Sequence, residues 1–332
     1  MFNNLNIAVI GAGSWGTAIV KLLVNNCDNI NWWVRQQETI DHIKTYHRNP
    51  NYLRYAELNP EKLTLSNNLK EIVKTSDMLI FAIPAPFVAE TLSNSGLTDL
   101  SDKIVVSAIK GIIPEENILV SDFLNRKFNV DYNNIGVIAG PCHSEEVAMQ
   151  KQSFLTVAFK DIEKAEFLKK QLSTWYLKIS TKNDIIGIEY SAVLKNIIAI
   201  ANGICISLGY GDNFQAVLIV NAVQEVHRFL NKVYPAIRDI NDSVYIGDII
   251  VTAYSKFSRN RMFGNYIGKG YSVKATRAEM KMIAEGYFAV KCMYEMNKEF
   301  NVDMPIAETV YNIIYEQMSP DKQMILLAEK LS

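Results

Sequence analysis

The chain has 332 residues, which exceeds the usual size of one hydrophobic core, so its length alone predicts two domains. Lys and Arg number 34 against 35 Asp and Glu, and the formal charge of -1 excludes a global positive field for holding nucleic acid or an anionic membrane. The 4 cysteines are scattered without a C-x-x-C pair, which excludes a disulfide framework and a structural zinc site, and no metal is expected.

The first half of the chain alternates short β-branched runs with helical stretches, a pattern typical of a parallel sheet covered by helices. The start lacks the layout of a signal peptide, and no apolar run reaches the roughly 20 residues of a membrane span, so a cytoplasmic protein is expected. The predicted strands are 6–10, 30–34, 78–83, 103–108 and 135–139. Further strands at 154–159 and 175–179, on either side of a helix at 161–172, extend the same sheet.

The second half changes character from about Ile185 onward, where apolar residues recur at helical spacing and recognisable strands nearly vanish. The charged stretch 321–330 is typical of an amphipathic final helix. The expected fold is therefore α/β, with an N-terminal Rossmann-type parallel-sheet domain at 1–185 and an all-α C-terminal domain at 186–332. The apolar surplus of the helical domain indicates a homodimer.

A glycine-rich turn follows the first predicted strand and leads into a helical stretch at 17–24. In its G-x-G-x-x-G pattern Gly11 allows the tight turn, Gly13 lets a pyrophosphate approach the backbone, and Gly16 lets helix and strand pack closely. Because the strand before and the helix after both agree with the motif, we interpret it as a dinucleotide-binding turn, with Ser14 and Trp15 inside it.

The end of the second predicted strand carries Arg35 where an acidic residue would accept the ribose hydroxyls of NAD. A guanidinium at this point can stack on adenine or pair with the 2'-phosphate of NADP. The sequence favours NADP and leaves NAD open. A solvated arginine at a strand end is the alternative interpretation.

Four later segments narrow the choice among dinucleotide-binding proteins. They are Lys110-Gly111, the stretch 140–147 (GPCHSEEV), the stretch 189–196 (EYSAVLKN), and Gly247-Asp248 followed by 258–261 (SRNR). In this order and spacing they resemble the bacterial type of NAD(P)-dependent glycerol-3-phosphate dehydrogenase, and the resemblance spans nearly the entire chain. It implies reduction of dihydroxyacetone phosphate to sn-glycerol 3-phosphate, in support of glycerophospholipid biosynthesis.

The resemblance also implies the roles of individual residues. The implied catalytic residues are Lys195, Lys110, Asp248 and Asn196. The implied cofactor contacts, besides the glycine turn with Ser14 and Trp15, are Arg35, Lys110, Ser144, Arg259, Ile283 and Glu285. The implied substrate contacts are Lys110, Gly140, Cys142, Lys195, Asp248, Thr252, Ser258, Arg259 and Asn260.

The chemistry of ketone reduction suits these residue types. The ammonium of Lys195 can donate a proton to the carbonyl oxygen, and its neutral amine can take the proton back in the oxidative direction. Lys110 would add a second positive group from the first domain, and Arg259 offers a forked guanidinium to a phosphate. A buried lysine is costly without a partner, which favours a functional Lys195 over a structural one.

The sequence also departs from the family pattern. Cys142 stands in place of a serine, Tyr190-Ser191 in place of two glycines, and the stretch 242–248 in place of a glycine-rich loop. Cys142 beside His143 raises the hypothesis of a thiol nucleophile, although catalytic cysteine and histidine normally come from separate segments. Two further alternatives are a related dehydrogenase acting on another hydroxy acid and a non-catalytic NAD(P) sensor.

Overall fold

The computed structural model describes residues 5–280 and 282–332, which form two compact units. The first unit contains the residues up to Ile109 together with Val120–Ile185, and the second combines Lys110–Leu119 with Ile186–Ser332. The segment Lys110–Leu119 contains a small hairpin that packs on a helix of the second unit. Lys110 therefore belongs to the second unit, whereas the sequence led us to expect it in the first domain.

The first unit is built on an eight-stranded sheet with helices. Its strands are β1 (Ile7–Ile10), β2 (Ile30–Trp33), β3 (Leu63–Ser66), β4 (Met78–Phe81), β5 (Ile104–Ser107), β8 (Ile135–Ala139), β9 (Ser153–Phe159) and β10 (Leu177–Lys182), and the hairpin of the second unit supplies β6 (Ile112–Ile113) and β7 (Ile118–Leu119). Its helices are α1 (Ser14–Leu23), α2 (Gln37–Tyr46), α3 (Leu69–Lys74), α4 (Val88–Asn94), α5 (Val120–Phe128), α6 (Ser144–Ala148) and α7 (Ile162–Leu172).

The spatial order of the sheet is β10-β9-β8-β5-β4-β1-β2-β3. Its neighbouring strands are parallel except β8 and β9, which pair antiparallel. Between these two strands lies only the five-residue helix α6, which is short for the crossover that a parallel connection needs. The central strands β1 and β4 are buried along their whole length, which explains their continuous apolar sequences.

From Ile185 onward the chain is helical, which together with the N-terminal sheet confirms the predicted fold class. These helices are α8 (Ile185–Ser207), α9 (Asp212–Val233), α10 (Asp248–Tyr254), α11 (Arg259–Gly268), α12 (Val273–Glu279), α13 (Glu285–Phe300), α14 (Pro305–Ile314) and α15 (Pro320–Lys330). Within the described residues α8 alone is long and apolar enough to cross a membrane, but 89% of its most apolar window is buried, as in the core helix of a globular unit.

Two glycines bring α8 and α11 into backbone contact. A Cβ atom on Gly203 would lie 2.1 Å from the carbonyl oxygen of Arg261, and a Cβ atom on Gly264 would lie 2.1 Å from that of Ile200. Any larger side chain would force the two helices apart. This close approach fixes the start of α11, which carries the predicted residues Arg259 and Asn260, relative to α8.

A buried carboxylate joins α9 to the start of α14. Glu225 accepts hydrogen bonds from the backbone N–H groups of Ile306 and Ala307, at 2.8 and 3.0 Å. Burial raises the pKa of Glu225 to about 7, against the lowering effect of these two hydrogen bonds and of Arg228, while Asp303 adds to the rise. The first turn of α14 is thus stabilised by a carboxyl group that titrates near neutral pH.

We expect Glu225 to make the folded protein less stable as pH rises. An unfolded glutamate titrates near about pH 4.3, whereas the folded chain holds this proton up to about pH 7, so stability falls as pH rises through that window. Relative to Glu225→Gln, the free energy of unfolding of the unchanged protein should drop by about 3 kcal/mol between about pH 5 and pH 8. Denaturant unfolding at several pH values measures this difference, and parallel curves for the two proteins would contradict it.

Candidate active site

The glycine turn adopts the backbone that its sequence predicts. Gly11 has a φ of +117°, and a Cβ atom there would lie 2.7 Å from the carbonyl oxygen of Ala82. A Cβ atom on Gly16 would lie 2.2 Å from the carbonyl oxygen of Gly11, so that only glycine allows α1 to start this close to β1. By contrast, a Cβ atom on Gly13 would meet open space. Gly13 is therefore the position where a phosphate has room to approach the backbone.

The turn faces the start of α1, whose first residue is Ser14 and whose first turn contains no acidic side chain. Unpaired N–H groups and the positive end of the helix dipole favour an anion at this position. Trp15, half-buried, packs against the core of the unit. These features fit the pyrophosphate of a dinucleotide, with Gly13, Ser14 and Trp15 as the residues that would hold it.

Asn49, which the sequence analysis missed, supports this turn. Its side chain is fully buried and donates hydrogen bonds of 2.9 Å to the carbonyl oxygen of Ala12 and to the hydroxyl of Thr17. The only signal in the sequence was an Asn-Pro pair, which is equally typical of an ordinary loop. Hydrogen bonds of this kind, between residues more than 30 positions apart, become visible only when the tertiary contacts are known.

Other predicted residues of the first unit follow strands whose carboxyl ends share one edge of the sheet. Arg35 follows β2 and is exposed, and Gly140 follows β8 with a φ of +129°. Cys142 is buried, its N–H donates to the Gly140 carbonyl oxygen at 2.8 Å, and Ser144 begins α6. A buried thiol is poorly placed for nucleophilic attack, which disfavours the hypothesis of a catalytic cysteine.

The second unit brings the predicted catalytic residues together. Lys195, on α8, forms an ion pair with the Oδ1 atom of Asp248, and both side chains are 2% exposed. The hydroxyl of Thr252, one turn further along α10, lies 3.5 Å from the same Oδ1 atom. Among the described residues the Oδ2 atom of Asp248 has no hydrogen-bond partner although it is buried. This carboxylate oxygen is available to a ligand hydroxyl.

Lys110 and Asn196 complete this cluster. Asn196 donates a 2.7 Å hydrogen bond to the backbone carbonyl of Lys110, which ties the segment before β6 to α8. Burial lowers the pKa of Lys195 to about 7, opposed by the carboxylate of Asp248 and assisted by the neighbouring Lys110 charge. A buried amine with such a pKa can exchange protons at neutral pH, which an exposed lysine cannot do efficiently.

Two predicted residues at the start of α11, Ser258 and Asn260, make hydrogen bonds that stabilise the fold. Ser258 caps the helix, since its hydroxyl accepts a hydrogen bond from the N–H of Arg261 at 3.3 Å. Asn260 accepts one from the N–H of Gly286 at 2.9 Å, and a Cβ atom on Gly286 would lie 2.7 Å from the carbonyl oxygen of Asn196. The start of α13 thus meets α8 and α11 next to the cluster around Lys195.

Three further predicted residues lie at or just before the starts of helices in the second unit. Arg259 is the first residue of α11, Glu285 is the first residue of α13, and Ile283 lies in the preceding segment. Because Gly286 contacts both Asn196 and Asn260, Glu285 is held beside the same part of the unit.

The stretch before Asp248, where the sequence departs from the family pattern, is a π-helical turn at Ser243–Gly247. Such turns are rare and recur at functional sites. Asn202, a second residue that the sequence analysis missed, donates a 2.8 Å hydrogen bond to the carbonyl oxygen of Ala253 and so ties α8 to α10. Its signal was an amide two turns after Lys195 in an otherwise apolar helix. Together the turn and the tie position Asp248 against Lys195.

Comparisons with known proteins show to which family the chain belongs. Residues 6–165 match the family model described as NAD-dependent glycerol-3-phosphate dehydrogenase N-terminus, and residues 184–325 match the model of the C-terminus. The glycerol-3-phosphate dehydrogenase [NAD(P)+] of Staphylococcus carnosus is 33% identical over 97% of both chains. That of Exiguobacterium is 36% identical over 95% of this chain and 92% of its own. The structure of glycerol-3-phosphate dehydrogenase from Coxiella burnetii superimposes with a TM-score of 0.90 at 24% identity, over 98% of this chain and 99% of that one, and shows the same fold.

Proposed function

The chain belongs to the NAD-dependent glycerol-3-phosphate dehydrogenase family, and from this premise we propose that it reduces dihydroxyacetone phosphate to sn-glycerol 3-phosphate with NADPH or NADH, and catalyses the reverse reaction. The observation that carries the proposal is the buried pair of Lys195 and Asp248, with Lys110 and Asn196 beside it. This cluster supplies an acid of suitable pKa where a carbonyl group can be protonated.

A bound nicotinamide cofactor supplies hydride chemistry at the carbonyl carbon. Lys195 donates the proton that the carbonyl oxygen needs, and its ammonium stabilises the negative charge as it develops on that oxygen. In the oxidative direction the neutral amine removes the proton from the hydroxyl of glycerol 3-phosphate. Asp248 orients the amine through Oδ1, and Oδ2 accepts a hydrogen bond from a substrate hydroxyl.

The phosphate of the substrate requires a cationic partner. Arg259, at the first position of α11, is the residue we assign to it, because a guanidinium can bind two phosphate oxygens at once. Asn260, the residue after Arg259, accepts a hydrogen bond from Gly286 through its Oδ1 atom. Its Nδ2 group can therefore donate to a phosphate oxygen. Lys110 adds positive charge beside Lys195, so the cluster complements a dianionic substrate.

A spectrophotometric assay with the purified protein tests the proposal. Absorbance of NADPH or NADH should fall only when dihydroxyacetone phosphate is added. A 2-oxo acid without phosphate, such as 2-oxobutanoate, serves as the control for the alternative of another hydroxy acid dehydrogenase. Turnover of the 2-oxo acid alone, or cofactor binding without any turnover, would refute the proposed activity.

We expect Arg35 to set the preference for NADPH. The side chain is exposed beyond β2, where it can pair with the 2'-phosphate, and loss of one charged hydrogen bond costs about 1.5–3 kcal/mol. Arg35→Ala should therefore lower kcat/KM for NADPH by about 10- to 100-fold and leave that for NADH nearly unchanged. Arg126→Ala, which removes another exposed arginine from the same unit, is the matched control. An unaltered ratio between the two cofactors would contradict this role.

We also propose a homodimer that forms through the second unit. Exposed apolar side chains lie on α9, at Val217 and Val220, and on α15, at Ile325 and Leu326. Asn221 on α9 donates a 2.8 Å hydrogen bond to the carbonyl oxygen of Ser332, which holds the segment after α15 against α9. Sedimentation should give a dimer that Val220→Asp dissociates, and a monomer for the unchanged protein would refute the proposal.

The proposed cellular setting follows from the family. The protein would act in the cytoplasm, and its product would enter glycerophospholipid biosynthesis. Reduction is then the proposed physiological direction.

A further inference from the structure

A cavity of about 750 Å³ lies within the second unit. It is bordered by α11, α12, α13 and α14 and by the segment that leads into α15. Its size falls within the range of small-molecule sites, roughly 300–1,000 Å³. The lining contains none of the residues assigned above to substrate or cofactor. The residues that matter for its chemistry are Ile267, Lys274, Arg277, Ile313, Ile314 and Met318.

Two cations without counterions face this cavity. Lys274 and Arg277 lie one turn apart on α12, both are exposed, and neither has an ion pair or hydrogen bond from its side chain to the described residues. Within the described part of the chain, no aspartate or glutamate lines the cavity. The cavity therefore attracts an anion, and the donors of Arg277 are free to bind two oxygens at once.

The guanidinium of Arg277 is held in position before any ligand arrives. Its central carbon lies 4.6 Å from the ring centroid of Tyr287. Tyr287 stacks in turn on Tyr315, with centroids 5.3 Å apart and an angle of 26° between the rings. The hydroxyl of Tyr315 donates a 2.8 Å hydrogen bond to the backbone carbonyl of Tyr287, which fixes the stack. Stacking uses the face of the guanidinium and leaves its N–H edge for an anion.

The apolar part of the cavity lining indicates what kind of group the anionic head is attached to. Three tyrosines line the cavity. Tyr287 is covered by Arg277 and by Tyr315, and Tyr315 also stacks on Tyr311 at 5.4 Å, so neither ring offers two free faces to a flat aromatic ligand. The third, Tyr271, is exposed and packs edge-on against Tyr266. The remaining apolar lining is aliphatic apart from one methionine, and consists of Ile267, Val273, Ala278, Ile313, Ile314, Met318 and Pro320. Such side chains pack well against a flexible aliphatic chain.

We propose that this cavity binds an anionic amphiphile, an aliphatic chain that ends in a phosphate or carboxylate head. The head pairs with Arg277 and Lys274, and the chain lies against the aliphatic walls that include Ile314 and Met318. A phosphate ester of an acyl lipid and a free fatty acid both carry this chemistry. The site is separate from the active site and does not depend on which substrate the enzyme reduces.

Calorimetric titration of the full chain with decyl phosphate and with decanoate, both below their micelle concentrations, tests the proposal. At least one of them should bind saturably to one site per chain, and the tighter of the two identifies the preferred head. Inorganic phosphate and decyltrimethylammonium should not bind at the same concentration. Arg277→Gln should weaken binding at least about tenfold, since a charged hydrogen-bond pair is lost.

Three further variants make the outcome decisive. Met318→Glu places a carboxylate on the apolar wall and should weaken binding as strongly as Arg277→Gln, whereas Lys232→Gln, which removes an exposed charge elsewhere in the unit, should leave it within twofold. Absence of saturable binding would overturn the proposal. So would binding that is lost in Arg259→Gln but kept in Arg277→Gln, because the amphiphile would then occupy the substrate site. Dimerisation abolished by Met318→Glu, without amphiphile binding, would assign the cavity to a second copy of the chain and overturn it too.

Discussion

Lys195→Met is expected to lower kcat for reduction of dihydroxyacetone phosphate by about 10³-fold, because general acid catalysis is worth roughly 10²–10⁴ in rate. Methionine keeps the length of the side chain but has no proton to donate. Binding of NADPH, followed by fluorescence, should change by less than about twofold, since the cofactor is assigned to the glycine turn of the first unit. Turnover comparable to that of the unchanged enzyme would remove Lys195 from the mechanism.

Two companion variants separate the acid role from other effects. Lys195→Met leaves the Asp248 carboxylate buried without its partner, which destabilises the fold, so the double variant Lys195→Met with Asp248→Asn should regain stability but not activity. Lys195→Arg keeps a positive charge but cannot release a proton at neutral pH. If Lys195→Arg retained most of the activity, the lysine would act only through its field.

Asp248→Asn has the second largest expected effect, and its sign follows from the ion pair. The carboxylate of Asp248 raises the pKa of Lys195 against burial and the charge of Lys110. Without it the pKa of Lys195 falls further, and less of the amine is protonated at neutral pH. Reduction needs the ammonium form, so kcat/KM for reduction should fall by about 10²-fold at pH 7.5.

The pH profile distinguishes this explanation from a loss of structure. In the unchanged enzyme kcat/KM for reduction should decline as pH rises through about 7, and in Asp248→Asn the decline should begin about two pH units lower, which corresponds to the roughly 10²-fold loss at pH 7.5. Asp212→Asn, an exposed carboxylate at the start of α9, is the matched control and should leave the profile in place. A uniformly lower profile with an unmoved limb would contradict the coupling between Asp248 and Lys195.

Strands that the sequence predicted well are those buried on both faces. The strands β1, β2, β4, β5 and β8 are buried along nearly their whole length and lie within a residue or two of their predicted bounds. The sequence analysis missed β3, an edge strand in which only Leu63 is buried, because a half-exposed four-residue run has no distinctive period. The predicted strand 175–179 begins later, at Leu177, since Trp175 is exposed in a turn. Antiparallel pairing of β9 is a non-local property that no segment reveals by itself.

In the candidate site, too, local sequence patterns were predictable, whereas contacts between distant segments were not. Lys195 and Asn196 stand out because a charged and a polar residue interrupt an apolar helix, and the structure places Lys195 against Asp248 as a buried pair. What the sequence did not reveal is how that pair is positioned. The π-helical turn before Asp248 and the tie from Asn202 depend on contacts between distant segments, and the membership of Lys110 in the second unit depends on how a short hairpin packs.

In the proposed mechanism Lys195 is a buried amine that gains and loses a proton near neutral pH during the reaction. NMR titration of the protein labelled with ¹³C at the lysine ε-carbons, with Lys195→Met used to assign the resonance, measures this directly. We predict that the Lys195 resonance titrates near pH 7 and that its midpoint coincides with the limb of the reductive profile. Titration at about 10.4, as for an ordinary lysine, would contradict this role of Lys195.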